Sequence, residues 1–333
     1  MQKYWLIILL PFLSCQQAPV SWQMAHNASI KLSGDVWAGK PIGKELALPE
    51  LNAESLEQWE AFVEDSLTLL GAEDKIPLSQ ALFLQKRESR FVELIERSLW
   101  NDGLIKAYTQ GDSTYDPGDL AYVSGPDTLF VNLYVAGFAE LLVNNEPLGM
   151  EVDSRYPWEE SVRLRLKNLQ KRKFVIALRI PGSSRNLPAP TERLRYLYNS
   201  NRKLELRVNE DLIMPRVGDG YAFIEREWQS GDKIDLLLPL AVRRVQDAKN
   251  PSLIALERGP ILYAFPRDEM AAEIRLSRSR QYFLMDRLDG SMKLNWLRGP
   301  VWHRDQMIEA EAAPLFLLRS KGIATHEIAL SYR

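Results

Sequence analysis

The sequence predicts a mainly β protein, a β-sandwich preceded by a short helical part. Three observations carry this. From about Gly111 onward the apolar residues recur with period two, as in Ser161 to Leu166, where Val162, Leu164 and Leu166 alternate with Arg163 and Arg165. Turn signals at Pro181-Gly182, Gly218-Asp219-Gly220 and Gly231-Asp232 cut this region into short runs at sandwich spacing. Upstream, residues 53–103 carry apolar residues at the three and four residue spacing of helices instead.

The helical elements come first. Ser55-Leu-Glu-Gln58 fits a capping box, and Leu56, Trp59, Phe62, Val63, Leu67 and Leu70 form one apolar face that stops at Gly71. Pro77 suits the first turn of a second helix running to about Lys86. A third covers about Ser89 to Trp100, with Phe91, Leu94, Ile95, Ser98 and Leu99 on one face. Three short helices bury little alone and need something larger to lie against. The strands follow at Thr128 to Val135, Ser161 to Leu166, Phe174 to Ile180, Leu204 to Val208, Tyr221 to Ile224 and Ile234 to Leu238. Arg244 to Pro251 reads as a link, and Leu253 to Phe265 resumes the strands around Gly259-Pro260. Leu315 to Leu318 and Glu327 to Ser331 are further strand-like runs.

Composition narrows the function. Of 333 residues, 46% are hydrophobic and 26% charged, which is ordinary globular make-up for about two domains. A net charge of −2 leaves no electrostatic footprint for nucleic acid but admits a neutral ligand such as a sugar. Nine Trp and twelve Tyr suit sugar stacking, although filling a β core is their commoner use. The one cysteine, Cys15, allows neither an internal disulfide nor a thiolate metal cage. His26, His303 and His326 lack ligand spacing, so the sequence predicts no metal and no cofactor.

The N-terminus reads as an export signal, residues 1–15. Lys3 starts it, and Trp5 to Leu13 is an apolar run too short to span a bilayer. Phe12-Leu13-Ser14-Cys15 closes it like a loose bacterial lipobox, making Cys15 the lipid attachment site of an exported, membrane-anchored envelope lipoprotein. A plain secretion signal with an incidental cysteine is the alternative. Residues 16–50 form a tether and irregular loop, punctuated by Gly34, Gly39, Pro41, Gly43 and Pro49.

The strand region carries Asp127-Thr-Leu-Phe-Val-Asn-Leu-Tyr134, Tyr156-Pro-Trp158, Leu178-Arg-Ile-Pro-Gly182, Gly220-Tyr221, Trp228 with Gly231-Asp232, and Leu256-Glu-Arg-Gly-Pro260, in that order. Together these resemble glycoside hydrolase family 127, whose known activity includes β-L-arabinofuranosidase. The resemblance implies a β-sandwich over 115–248, a C-terminal β region over 249–333 and, over 51–110, a helical remnant of the family's (α/α)6 catalytic barrel. Arg87-Glu-Ser-Arg-Phe91 with Glu96-Arg-Ser-Leu-Trp-Asn101 resembles the end of that barrel, and Pro314-Leu-Phe-Leu-Leu-Arg-Ser-Lys-Gly322 a run near the family's C-terminus.

In that family a zinc-held cysteine thiolate attacks the anomeric carbon, with a glutamate as acid/base. Aligned through Leu48-Pro49, the resemblance puts the acid/base glutamate on Lys40, the zinc glutamate on or next to Leu56 and a zinc cysteine on Gln58. The paired cysteines should follow Trp100-Asn101, where Ala107 to Tyr122 contains none. No catalytic residue is therefore assigned. Glu45, Glu54, Glu57 and Glu60 could in principle supply a carboxylate pair, but Glu57 and Glu60 alternate with apolar positions and read as a solvated helix face. Trp158 and Trp228 sit in family motifs and read as packing, whereas Trp37 and Trp302 lie in loop-like contexts and are the candidates for sugar stacking.

The expectation is an inactive relative that binds glycan or supports its processing at the membrane surface. Its first rival is an active hydrolase of arabinofuranosides, working through substituted residues or beside a partner glycosidase chain. The second is a decayed gene product whose helical faces lack a partner.

Overall fold

The structure, a computed structural model, describes residues 23–24, 48–65, 75–102, 118–266, 274–277, 281–289 and 292–325. The proposed export signal, Cys15, Trp37, Lys40, Glu45 and the run Glu327 to Ser331 lie outside these residues. No helix among the described residues is long and apolar enough to cross a membrane.

The helices fall where their period places them: α1 (Ser55–Asp65), α2 (Ile76–Lys86) and α3 (Ser89–Asn101). Pro77 sits in the first turn of α2, where its missing N–H is harmless. The capping box at Ser55 does not form. Asn52 starts α1 instead: its carboxamide oxygen accepts the Glu54 N–H at 3.0 Å and the Ser55 hydroxyl at 3.0 Å. An asparagine three residues upstream thus takes the role that the Ser-x-x-Gln spacing suggests for Ser55.

A one-turn helix, α4 (Gly118–Ala121), leads into the sheets. The first sheet orders β1 (Gln23–Met24), β2 (Tyr122–Ser124), β3 (Thr128–Val131), β7 (Arg172–Arg179), β12 (Tyr221–Trp228) and β11 (Arg216–Gly218), with β3 and β7 parallel. The second orders β10 (Asp211–Leu212), β9 (Glu205–Val208), β13 (Lys233–Leu237), β6 (Ser161–Lys167), β5 (Glu146–Ser154) and β4 (Gly137–Val143). Val162, Leu164 and Leu166 of β6 are buried as their alternation requires, in one core with Ile176 of β7 and Tyr221 of β12. Trp158 and Trp228 lie in that core as packing residues, and the Trp228 indole N–H donates to the Phe174 carbonyl at 3.1 Å.

The third sheet runs β17 (Ile274–Leu276), β19 (Met292–His303), β20 (Gln306–Pro314), β16 (Ile261–Ala264), β15 (Ile254–Arg258), β14 (Val242–Asp247) and β8 (Leu194–Tyr196), while β18 (Phe283–Asp289) pairs with β19 off this path. Three readings change here. Arg244 to Pro251 is not a link, because its first half belongs to β14, paired on both sides by β15 and β8. Its arginines hid the alternation. Arg244 lays its guanidinium 5.4 Å from the Tyr282 ring centroid while Val245 points into the core. Leu315 to Leu318 is not a strand but the start of a helix, α5 (Leu315–Ser320), since a short apolar run after a proline has no period of its own. The strand read to Val135 stops at Val131, where Asn132 turns its backbone N–H to Ala121 and its side chain to Leu120.

The helical faces have their partner. Trp59, Val63, Phe83, Phe91, Leu94 and Ile95 share one continuous cluster with the sandwich. Helix α3 is buried on every side from Phe91 to Asn101. The apolar surface that would have been a liability in an orphaned helical fragment is covered by the sandwich itself.

Candidate functional site

Four of the buried polar side chains of helix α3, Glu93, Glu96, Arg97 and Asn101, face the sandwich. Burying them is tolerable only because each is matched. Arg179, at the end of β7 in the Leu178-Arg-Ile-Pro-Gly182 run, is fully buried between Glu93, at 3.2 Å, and Glu96, to which it also donates a hydrogen bond. Its Nε donates to the Asn132 carbonyl at 2.5 Å, and its own carbonyl accepts the Tyr134 hydroxyl. Asn132 in turn accepts the Tyr221 hydroxyl at 2.7 Å.

Burial would lower the Arg179 pKa, but Glu96 and Glu93 outweigh it and hold the guanidinium well above its ordinary value. Burial also pushes the Glu96 carboxyl up to about 7, against the pull of Arg179 and with the charge of Glu93 adding to the rise. Burial raises Tyr134, Tyr156 and Tyr221 above the ordinary phenol value, so all three stay neutral.

One turn further along α3, Arg97 pairs with Glu257 of β15 at 3.0 Å and donates to the Pro188 carbonyl at 2.7 Å. Glu257 accepts the Tyr196 hydroxyl, and its carboxyl is raised by burial. Asn101 donates to the Pro260 carbonyl at 2.7 Å and accepts the Leu262 N–H at 2.8 Å. Helix α3 is therefore sewn to two different sheets by side-chain chemistry.

At one edge of this junction the helices and the sandwich loops leave an open cleft of about 980 Å³, whose lining includes Glu60, Glu64, Glu88, Arg90, Glu93 and Arg185. Its walls meet tightly where Gly220, at φ +81°, passes α3: a Cβ there would lie 1.8 Å from the Ser89 hydroxyl oxygen. Both lining arginines are paired with lining carboxylates, while Glu64, Glu192 and Asp219 add further acidic groups. Arg90 bridges Glu60 at 2.9 Å and Glu88 at 2.6 Å, and Arg185 meets Glu93 at 3.2 Å. Such a cleft offers paired hydrogen-bonding groups to a polar ligand.

Of the positions that the family resemblance marks for chemistry, Leu56 and Gln58 lie among the described residues, both on α1. Leu56 is half-buried in the first turn of α1, Gln58 points to solvent, and Glu54, Glu57 and Glu60 are exposed. Among the described residues no three His, Cys, Asp or Glu side chains gather as a metal site. An aliphatic side chain and an exposed carboxamide do not fit a thiolate-held zinc. Trp302 is half-buried on β19, not in a loop. Glu225 and Glu227 point outward from β12, paired with Lys173 and Lys171. Asp232 is buried: it accepts the Gln229 N–H and the Asn209 amide, stapling its turn. Sequence reading did not single out Glu93, Glu96 or Arg179. Their one signal was an arginine beside the Pro181-Gly182 turn in an otherwise apolar strand.

These features define a helix-capped β-sandwich, its cap held by buried ion pairs. Residues 128–240 match the family described as "Beta-L-arabinofuranosidase, GH127 middle domain". No curated protein matches the sequence. A solved GH127 β-arabinofuranosidase aligns with a TM-score of 0.68 at 21% identity, over 79% of this chain and 49% of that one. A GH127 β-L-arabinofuranosidase from Geobacillus stearothermophilus T6 aligns at 0.64 and 18% identity, over 78% and 48%. A further glycoside hydrolase aligns at 0.63 and 16%, over 78% and 51%. The chain thus spans about half the length of the solved structures it matches.

Proposed function

We propose that the protein is a non-hydrolytic relative of the GH127 β-L-arabinofuranosidases that binds glycan, or supports its processing, at the bacterial cell envelope. The observation that carries this is chemical. The family's nucleophile is a zinc-held thiolate, while the 333-residue sequence has one cysteine, Cys15, in the segment that reads as an export signal. The sandwich and the helix pair before it are kept, and the positions that would hold zinc carry Leu56 and Gln58. A fold can outlast its chemistry, because function resides in the site.

The direct test is metal content together with turnover of an aryl β-L-arabinofuranoside by the purified chain. The expected result is substoichiometric zinc and no hydrolysis above background. Stoichiometric zinc with turnover would sink the proposal and favour a hydrolase rebuilt on other ligands or completed by a partner chain. The envelope assignment rests on Cys15 as a lipid-bearing residue. Cys15→Ser is expected to move the protein from the membrane fraction to the soluble fraction of the producing cell. A variant that stays with the membrane would remove the lipid anchor from the proposal.

A further inference from the structure

The cleft beside α3 is built from two unlike parts. The helices bring Glu60 and Glu64 from α1 and Glu88, Arg90 and Glu93 from the start of α3. The loop after β7 brings Leu187, Ala189 and Pro190, an apolar strip in which Leu187 is 48% exposed. The two parts are tied to each other. The Gly182 N–H donates to Glu93 at 2.8 Å, the Ser89 N–H to the Asp219 carbonyl at 2.8 Å, and the Thr191 hydroxyl to Glu64. Beside them Arg193 donates to the Asp65 carbonyl at 2.6 Å and pairs with Asp247 at 3.0 Å. The cleft is therefore preformed, and a ligand need not order its walls. Its volume of about 980 Å³ lies at the upper end of the range of small-molecule sites.

We infer that this cleft binds an uncharged, hydroxyl-rich stretch of a glycan. The apolar strip suits the C–H face of a sugar ring. The carboxylates suit its hydroxyls, because one carboxylate accepts from two neighbouring O–H groups and such charge-assisted bonds are stronger than neutral ones. Arg90 engages one oxygen of Glu60 and one of Glu88, so both carboxylates keep acceptor sites for a ligand. Charge then selects the glycan. Six lining carboxylates, Glu60, Glu64, Glu88, Glu93, Glu192 and Asp219, stand against two lining guanidiniums, Arg90 and Arg185. A uronate or a sulfated sugar would enter against that excess of negative charge, and nucleic acid is disfavoured in the same way. A cationic ligand gains less than the excess suggests. Glu60, Glu88 and Glu93 already hold arginines and Glu64 meets Lys249 at 3.6 Å, so a cation would compete with ion pairs already made. Glu192 and Asp219 are exposed, where an ion pair with a ligand contributes little.

The inference rests on the glycan-binding reading above and gives it a place and a ligand class. The test is affinity electrophoresis of the full chain in native gels containing neutral linear arabinan or, separately, polygalacturonate. The decisive variant combines Leu187→Ser, Glu192→Ala and Asp219→Asn. All three side chains are exposed, and asparagine tolerates the left-handed backbone of Asp219, at φ +51°. Glu140→Ala, exposed on β4 and outside the cleft, is the control. A urea transition shows that each variant folds like the wild type. The expected result is that arabinan retards the wild type and polygalacturonate does not. Binding to arabinan should be about tenfold weaker in the triple variant, as the loss of two acceptors and an apolar contact implies, and unchanged in the control. Retardation by arabinan that the triple variant keeps in full would overturn the cleft as the site and leave glycan binding to another surface. Polygalacturonate that retards the wild type as strongly as arabinan would overturn the selection by charge. No retardation of the wild type by either polysaccharide would overturn both the cleft and the glycan-binding reading.

Discussion

Arg179→Ala is expected to destabilise the protein by about 3–5 kcal/mol, the range for removing one partner of a buried ion pair. The deletion leaves Glu93 and Glu96 at the same buried junction without the guanidinium between them, and strips the Asn132 carbonyl of its donor. Arg185 still reaches Glu93 but does not replace the bond to Glu96. The loss should show as a lower urea midpoint, with helical and sheet signals melting together because the network joins α3 to β7. Should that variant fail to accumulate, Arg179→Met keeps the stem packing and tests the charge alone. Pairing Arg179→Met with Glu96→Gln is expected to recover part of the loss, because the second change removes the charge that the first leaves unmatched. A cost below about 1 kcal/mol for Arg179→Ala would mean that the two carboxylates are hydrated in solution and that the helices dock by apolar contact alone.

That network also marks where the sequence could be read and where it could not. Val162, Leu164 and Leu166 announced their strand because alternation with Arg163 and Arg165 is a local signal, set by one buried face and one wet one. The helices were legible for the same reason, through spacing. The partner of those helices was not. Glu93, Glu96 and Arg97 give no local sign of burial, and only the meeting with Arg179 and Glu257, 83 and 160 residues away in sequence, explains it. A long-range pair leaves no periodic trace. The motif residues Arg179 and Glu257 carried the resemblance to GH127 without revealing that they pair with the helical cap. Strand β14 was hidden by the opposite device, arginines whose stems lie along the sheet while their heads find rings and amides, as Arg243 does above Tyr196 and against Asn186. Trp302, read as lying in a loop, belongs to strand β19. Its ladder partner Met307 comes from a strand whose pairing no local pattern specifies.

Stability should fall as pH rises from about 4.5 to about 7, and Glu96 is the reason. Its carboxyl is pushed up to about 7 in the folded protein, first by burial, and titrates near its ordinary 4.5 in the unfolded chain. Between those values the native state holds a proton that the unfolded state has released. The slope of unfolding free energy with pH is therefore negative in that window, and the contribution is fully present below it. The groups facing Glu96 do not reverse this sign. Tyr134 and Tyr156 stay neutral and Arg179 stays charged throughout, while Glu93 raises the Glu96 value further. Glu257, also raised by burial, adds in the same direction. The carboxylates held low by partners, Glu160, Asp247 and Asp286, gain their stability below the window, as they ionise. The span of the Glu96 shift corresponds to a loss on the order of 3 kcal/mol across the window. Urea transitions at pH 5, 6, 7 and 8 measure it. Glu96→Gln keeps an acceptor for Arg179 without a titrating proton, and is expected to remove most of the slope, which assigns the slope to Glu96. A wild type that gains stability from pH 5 to 7, or a Glu96→Gln variant that keeps the full slope, would show that the carboxylate is ionised and solvated at the junction. The buried cap would then owe its fit to Arg97, Asn101 and the apolar face alone.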